Sequence, residues 1–215
     1  MDAVIDNLPL FLDGFRNTLG LLLIAGVGAS VIGLIVAAMR ISPISSFRLF
    51  ATAYTELVRN TPLTLVLFFC AYLLPLLEFS PGYFQLAAIG LTVYTSPFVA
   101  EALRSGVNGV HVGQAEAARS VGLTFGQTLT FVVMPQAIRM VVPPLINVLI
   151  ALTKNTSVAG AFFVFELFGA ARKVTNDRGD AVIPILLAVA AFYLIITIPL
   201  GLIAGRIEKK VAVLR

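Results

Sequence analysis

The sequence has few charged residues. Of its 215 residues only 12% are Asp, Glu, Lys or Arg, whereas 59% are hydrophobic, and the mean hydropathy is +0.97. A soluble domain has about 25% charged and about 45–50% apolar residues. One hydrophobic core in water therefore cannot bury all the apolar side chains of this chain. The shortage of charged residues excludes a cytosolic enzyme and a secreted domain. It also excludes a nucleic-acid binder, although the basic pI, near 9.5, would otherwise suggest one. Lipid must surround much of the chain.

Metal ligands and a nucleotide-binding loop are also missing. The only cysteine is Cys70 and the only histidine is His111, so neither an internal disulfide nor a zinc site is expected. Cys70 leaves the redox compartment open. The dipeptide Gly-Lys never occurs, which removes the phosphate-binding loop G-x-x-x-x-G-K-[ST]. We therefore expect no ATP hydrolysis by this chain, and any energy for uphill work must come from a partner.

Long apolar runs predict an all-α membrane domain over residues 1–215 with five spans. The first charge-free run is 23 residues long, enough to cross a hydrocarbon core of about 30 Å. The second needs a kink at Pro62, and Gly160 to Arg172 is apolar but too short to span, as in an interfacial or re-entrant outer helix. The spans are predicted at about 17–39, 54–77, 82–104, 135–153 and 182–205, with a cytoplasmic loop at about 106–134.

The distribution of Lys and Arg predicts the orientation of these spans. With the amino terminus outside, the cytoplasmic segments hold ten basic residues and the external segments five. Cytoplasmic loops carry the excess of Lys and Arg, so the amino terminus is expected outside and the carboxyl terminus inside. Spans one, three and five have no ionisable residue in their cores, and Glu101, Arg104 and Lys154 lie only at span ends. Proton coupling within the chain is therefore not expected.

The cytoplasmic loop has the pattern of a short helix, a glycine turn and a second helix. Gly113 is predicted to cap the first helix, with Glu116 at its third position, and Gly122 to end it in the left-handed conformation. Thr124 to Gln127 fits a capping box for the second helix, which we expect to stop or kink at Pro135. These features fit either a docking surface with small residues or a plain solvated hairpin.

One motif in this loop points to a family. The run Glu116-Ala117-Ala118-x3-Gly122-x9-Val132-Val133-Met134-Pro135 resembles the E-A-A-x3-G-x9-I-x-L-P signature of ABC importer permeases. The segments Arg59 to Leu63, Tyr94 to Gly106 and Lys154 to Ser157 resemble its polar amino acid uptake (histidine, glutamine and glutamate) branch. The chain looks most similar to the permeases of actinobacterial glutamate importers, over about residues 10–210.

The resemblance implies a type I importer permease in the bacterial plasma membrane, without an ATP site of its own. It implies a coupling helix over about Gly113 to Val121 that docks on an ATPase subunit, which holds ATP and Mg²⁺. The other implied partners are a second permease, identical or homologous, and an extracytoplasmic solute-binding protein. The family-matched coupling positions are Gly113, Glu116, Ala117, Ala118, Gly122 and Pro135. The five family helices, with the amino terminus outside, agree with the charge count.

Two departures from the family pattern bear on function. His111 stands where the family often has proline. Basic-amino-acid members have Lys-Glu-Ser where this chain has Lys154-Asn155-Thr156, and the missing carboxylate fits a ligand that is not cationic. The expected substrate is a polar amino acid imported by alternating access, with glutamate first and glutamine, aspartate and others open.

Polar residues in or near the spans are candidates for the substrate path. They need hydrogen-bond partners in hydrocarbon, which either a neighbouring helix or a ligand can supply, and Lys154 could instead reach the headgroups. The candidates are Asn60, Thr61, Tyr94, Thr95, Ser96, Asn147, Lys154, Asn155 and Thr156. Two other functions stay as alternatives to an importer: a passive channel or facilitator, and a non-transporting membrane scaffold.

Overall fold

The computed structural model describes residues 2–212, all of whose regular elements are helices. The α-helices are α1 (Asp2–Asp6), α2 (Leu8–Ile41), α3 (Ser45–Arg59), α4 (Leu63–Phe68), α5 (Leu74–Leu76), α6 (Tyr83–Asn108), α7 (Val112–Ser120), α8 (Phe125–Gln127), α9 (Met134–Ala159), α10 (Leu167–Asp177) and α11 (Val182–Ala212). Two π-helical turns, Phe69–Leu73 and Thr128–Val133, join α4 to α5 and α8 to α9, and 3-10 turns lie at Gly160–Phe162 and Gly179–Ala181. The all-α prediction is confirmed for this part of the chain.

By length and composition, four stretches of helix can cross a membrane. They are Leu8–Ile41, Tyr83–Asn108, Phe125–Phe162 and Gly179–Lys210. A fifth candidate is the pair Ser45–Arg59 and Leu63–Leu76, which is bent by 99°. The count among the described residues is therefore four, or five if the bent pair is one span. Five spans and the orientation stay predictions.

Glycine allows α2 and α6 to approach closely at the centre of the molecule. A Cβ on Gly33 would lie 2.8 Å from the carbonyl oxygen of Ser96 and 2.7 Å from Cβ of Val99. Lipid tails are as apolar as leucine, so close packing of small residues holds membrane helices together better than apolar burial does. The α6 helix packs on α9 as well as on α2, and so connects the two longest helical stretches, Leu8–Ile41 and Phe125–Phe162.

Proline explains the bend between α3 and α4. Pro62 has no N–H and has an extended backbone (φ −60°, ψ 137°) as it begins α4, while the backbone N–H of Asn60 closes α3 on Glu56 O. A proline disfavours the helical conformation of the residue before it. The predicted change of direction at Pro62 is confirmed.

Pro135 does not stop the second loop helix, in contrast to one of the two outcomes predicted. It lies in the first turn of α9, where the missing N–H of proline is tolerated. The π-helical turn Thr128–Val133 comes directly before it. The helical stretch therefore continues from Phe125 to Phe162.

The segment after α9 is the short apolar region for which an interfacial or re-entrant helix is predicted. It forms the 3-10 turn Gly160–Phe162 and then α10, which packs on α2 and α11. Phe11, Leu167 and Ile185 are fully buried there. A second apolar cluster, at Leu21, Leu67, Leu91 and Leu152, joins α2, α4, α6 and α9.

Candidate coupling helix and substrate cavity

His111, not Gly113, caps the amino-terminal end of the predicted coupling helix α7. The Nδ1 atom of His111 accepts the backbone N–H of Gly113 at 3.1 Å. Glycine has no side-chain acceptor, so the imidazole two residues earlier takes the capping role. The prediction that Gly113 caps the helix is therefore wrong, and Glu116 lies at the fifth helical position, not the third.

Gly122 ends α7 as predicted. Its φ is +89°, a left-handed conformation that costs a residue with a Cβ about 1–2 kcal/mol. The N–H of Gly122 donates to Arg119 O at 3.0 Å, and the N–H of Leu123 to Ala118 O at 3.2 Å. These two bonds form a Schellman motif, which satisfies the last carbonyls of the helix. The site is open, because nothing lies within 4 Å of a Cβ placed here.

The predicted capping box of the second loop helix is also confirmed. The N–H of Thr124 donates to Oε1 of Gln127 at 2.9 Å, and the N–H of Gln127 to Oγ1 of Thr124 at 3.4 Å. Both ends of the glycine turn are therefore fixed by local hydrogen bonds. The helix α7 packs back on the π-helical turn Thr128–Val133.

The two alanines of the motif lie on different faces of α7. Ala118 is buried, whereas Glu116 and Ala117 are exposed. Pro135 is also exposed, at the start of α9. Glu116 and Ala117 therefore belong to a mixed exposed surface of α7, whose other exposed residues are Val112, Gln114, Arg119 and Ser120.

A cavity of about 400 Å³ lies between α6 and α9. Four of the predicted path residues line it, together with apolar side chains: Tyr94, Thr95, Asn147 and Asn155, with Phe98, Val148, Ala151 and Leu152. Its volume falls in the range of small-molecule sites, about 300–1,000 Å³. The structure thus brings carboxamide, hydroxyl and phenol groups together around one space.

The lining residue Thr95 has a buried hydroxyl without a hydrogen-bond partner in the described part of the chain. The residue is 4% exposed, and its Oγ1 has no hydrogen-bond partner among the described residues. A buried polar group without a partner costs about 1–3 kcal/mol.

The other predicted path residues lie away from the cavity lining. Ser96 is buried and its Oγ lies 2.7 Å from the phenol oxygen of Tyr54. The side chains of Asn60 and Thr61 donate to carbonyls one turn earlier in α3, and Thr156 Oγ1 donates to Thr153 O. Lys154 is exposed. Among these, Ser96 has the expected bond to a neighbouring helix, whereas Asn60, Thr61 and Thr156 bond carbonyls of their own helical segment.

Comparison with known proteins identifies the family. Residues 29–213 match the binding-protein-dependent transport system inner membrane component. The chain belongs to this family. It is 41% identical over 217 residues to the glutamate transport system permease protein GluC of Corynebacterium glutamicum, covering 95% of each chain. It is 39% identical over 210 residues to the probable glutamine ABC transporter permease protein GlnM of Bacillus subtilis, covering 98% of this chain and 97% of that one.

A solved structure shows the same fold. It is an amino acid ABC transporter with histidines, with a TM-score of 0.88, 28% identity and 96% of each chain covered. The resemblance to ABC importer permeases is thus confirmed, and so are the type I permease fold and the membrane location. Since the relatives are permease subunits, this family member is a transport subunit without an ATP site of its own, and the ATPase is a separate subunit.

An ion-pair cluster surrounds Glu101 and was not predicted from the sequence. Oε2 of Glu101 lies 2.6 Å from Nη1 of Arg40 and 3.8 Å from Nη1 of Arg59, and its Oε1 lies 2.9 Å from Nη2 of Arg104. The spacing of Glu101 and Arg104 on one helix was a readable signal for a pair. The other two arginines are distant in sequence, and only the packing of α2 and α3 on α6 brings them here.

Glu166 is a second group that the sequence did not reveal. It is fully buried and caps α10 by accepting the N–H groups of Phe168 at 2.9 Å and Gly169 at 2.7 Å. The phenol of Tyr193 donates to it at 3.0 Å. Burial raises the pKa of the Glu166 carboxyl, against the opposing effect of these hydrogen bonds.

Proposed function

We propose that this permease is the membrane subunit of an ATP-driven importer of polar amino acids, with glutamate as the first candidate. It has five spans in this proposal, with the amino terminus outside and the carboxyl terminus in the cytoplasm. Its partners are ABC ATPase subunits, a second permease and an extracytoplasmic solute-binding protein. GluC, which is 41% identical over 95% of both chains, supports glutamate, and GlnM at 39% keeps glutamine as the alternative.

The helical connection from α7 to the cavity is the observation that carries the proposal. The exposed edge of α7 contains Glu116 and Ala117, and the opposite face packs on the π-helical turn Thr128–Val133. That turn continues without a break into α9, which supplies Asn147 and Asn155 to the cavity. A displacement of α7 by a bound ATPase would therefore be transmitted along one helical stretch to the residues that line the substrate path.

The transport cycle in this proposal is alternating access. Closure of the two ATPase subunits on ATP carries the coupling helices with it and moves the permease pair from an inward-open to an outward-open state. The ATPase shifts this equilibrium only by the difference in its contacts with the two states. Strong capping of α7 at His111 and Gly122 keeps the helix rigid, so that little of the displacement is lost in local unfolding.

The cavity lining suits the two charged groups of an amino acid. Its polar residues are Tyr94, Thr95, Asn147 and Asn155, which offer both donors and acceptors. Carboxamides and hydroxyls bind an ammonium through their oxygens and a carboxylate through their N–H and O–H groups. The lining contains no acidic side chain, which agrees with a ligand that is not cationic.

A matched pair of glycine substitutions tests the coupling role. G122A places a Cβ on a residue with φ +89°, whereas G126A adds a Cβ to a helical residue with open space around it. At a cost of about 1–2 kcal/mol, the ratio of correctly ended to incorrectly ended α7 falls about 5–30-fold. We expect G122A to reduce ATP-dependent amino acid uptake in proteoliposomes holding permease, ATPase and binding protein, while G126A keeps it.

A second pair probes the docking edge directly. Ala117 is exposed, so A117L should fold and insert normally but obstruct the ATPase, while A117S should be tolerated. Co-purification of the ATPase with each variant measures docking. Normal uptake by both G122A and A117L would contradict the proposal. Solute passage through the chain alone, without ATP, would favour a channel, and absence of any transport with full partner binding would favour a scaffold.

A further inference from the structure

One carboxylate is shared by three guanidinium groups at the end of α6. Arg40 and Arg104 contact Glu101 at 2.6 and 2.9 Å, whereas Arg59 approaches it only to 3.8 Å. The cluster therefore carries a net charge of about +2 by counting full charges on each group. Arg59 is the most weakly held of the three, and its departure would leave Glu101 with two close partners.

Arg59 lies beside the wall of the α6–α9 cavity. Its guanidinium carbon is 5.5 Å from the centre of the Phe98 ring, and Phe98 lines the cavity next to Thr95 and Asn147. The Arg59 side chain is 38% exposed, so it has room to move. A cation over an aromatic face is held by about 0.5–2 kcal/mol, an attraction that a carboxylate can replace.

The cavity lacks a positive charge of its own. None of its lining residues is Lys or Arg, yet every amino acid ligand carries an α-carboxylate and an acidic one carries two. The lining residue Thr95 has a buried hydroxyl beside this space that is unpartnered among the described residues. A cation within reach would strengthen the binding of a ligand carboxylate, and the guanidinium of Arg59 already lies over the ring of the lining residue Phe98.

We propose that Arg59 is a ligand-binding residue that pairs with a carboxylate of the amino acid in the α6–α9 cavity. The inference rests on the proposed function. On ligand entry, the guanidinium exchanges its long contact with Glu101 for a paired hydrogen bond with the ligand. Arginine fits a carboxylate through two parallel N–H bonds, which a lysine at this position would not reproduce.

The test uses the purified permease–ATPase complex without the binding protein, so that only the permease site is measured. Equilibrium dialysis gives its affinity for labelled L-glutamate, L-glutamine and L-isoglutamine. Glutamine lacks the side-chain carboxylate and isoglutamine lacks the α-carboxylate. The variants are R59Q, R59K and, as a matched control on the same helix, R48Q, because among the described residues Arg48 donates only to the carbonyls of Ser42 and Pro43.

We expect R59Q to weaken glutamate binding at least tenfold, R59K to lie between R59Q and the parent, and R48Q to stay within twofold of the parent. If Arg59 binds the α-carboxylate, R59Q should also weaken the binding of glutamine but not of isoglutamine. If it binds the side-chain carboxylate, R59Q should also weaken the binding of isoglutamine but not of glutamine. An equal loss for all three ligands would mean a structural role and overturn the inference, as would unchanged binding in R59Q. If the parent complex imports glutamate with its binding protein but binds no glutamate without it, the role of Arg59 is refuted and the proposed function still stands. A parent that imports no amino acid with its binding protein refutes the proposed function itself.

Discussion

Replacing Glu166 with alanine should destabilise the packing of α10 more than any single change on the surface. The carboxylate accepts two backbone N–H groups and one phenol O–H, at 2.7, 2.9 and 3.0 Å. E166A would leave the N–H groups of Phe168 and Gly169 without their acceptor, at about 1–3 kcal/mol each. We therefore expect a loss of about 2–6 kcal/mol in stability, or a fall of the order of 10 °C in Tm.

Two further variants separate the contributions to this loss. Y193F removes only the phenol hydroxyl, so it should cost about 1 kcal/mol. E166Q keeps one acceptor oxygen and cannot ionise. Burial raises the pKa of Glu166 in the folded chain, so the folded state holds its proton more tightly than the unfolded state does. The stability that this proton contributes is complete below the ordinary carboxyl pKa, about 4.3, and is lost as the pH rises through the folded value.

The assay is thermal unfolding of the purified permease–ATPase complex, followed by the loss of its monodisperse elution peak after heating at a series of pH values. The stability deficit of E166Q relative to the parent should shrink as the pH rises above about 4.3. An E166A complex as stable as the parent would refute the capping argument. A deficit of E166Q that grows with pH would refute the direction of the pKa shift.

Three other substitutions test the packing and the polar groups. G33A should destabilise α2 against α6 by about 1–3 kcal/mol, because its Cβ would lie 2.8 Å from Ser96 O, while G205A, with open space around it, should not. Thermal unfolding of the two variants side by side decides this. T95V should raise Tm slightly, since it removes a buried hydroxyl without a partner, yet lower uptake, and a gain in both would contradict a ligand role. E101Q should lower Tm by removing the carboxylate shared by three guanidiniums, and an unchanged Tm would show that the cluster adds no stability.

The sequence predicts local features well where the cause is local. Gly122 and the Thr124–Gln127 capping box are confirmed because each depends on residues within one helical turn. The start of α7 was misplaced because Gly113 matched a helix-cap pattern, whereas the imidazole of His111, a less common cap, accepts the Gly113 N–H.

Features that depend on distant parts of the chain could not be predicted in the same way. In the Glu101 cluster the bond between Arg40 and Glu101 spans 61 positions, and the Glu166–Tyr193 hydrogen bond spans 27. The cavity combines α6 with α9, and hydropathy alone does not tell which polar side chains of these helices share a face. Thr95 and Ser96 are neighbours in sequence, yet Thr95 lines the cavity and Ser96 bonds Tyr54.

Site-specific cross-linking gives the most direct test of the coupling helix. In a C70A background, a photoreactive maleimide is attached at E116C on α7 or, as a control, at K154C on α9, both exposed positions. In the assembled importer, the probe at position 116 should capture the ATPase subunit and the probe at position 154 should not. Capture of the ATPase from position 154, or no capture from position 116 in a complex that transports, would contradict the account.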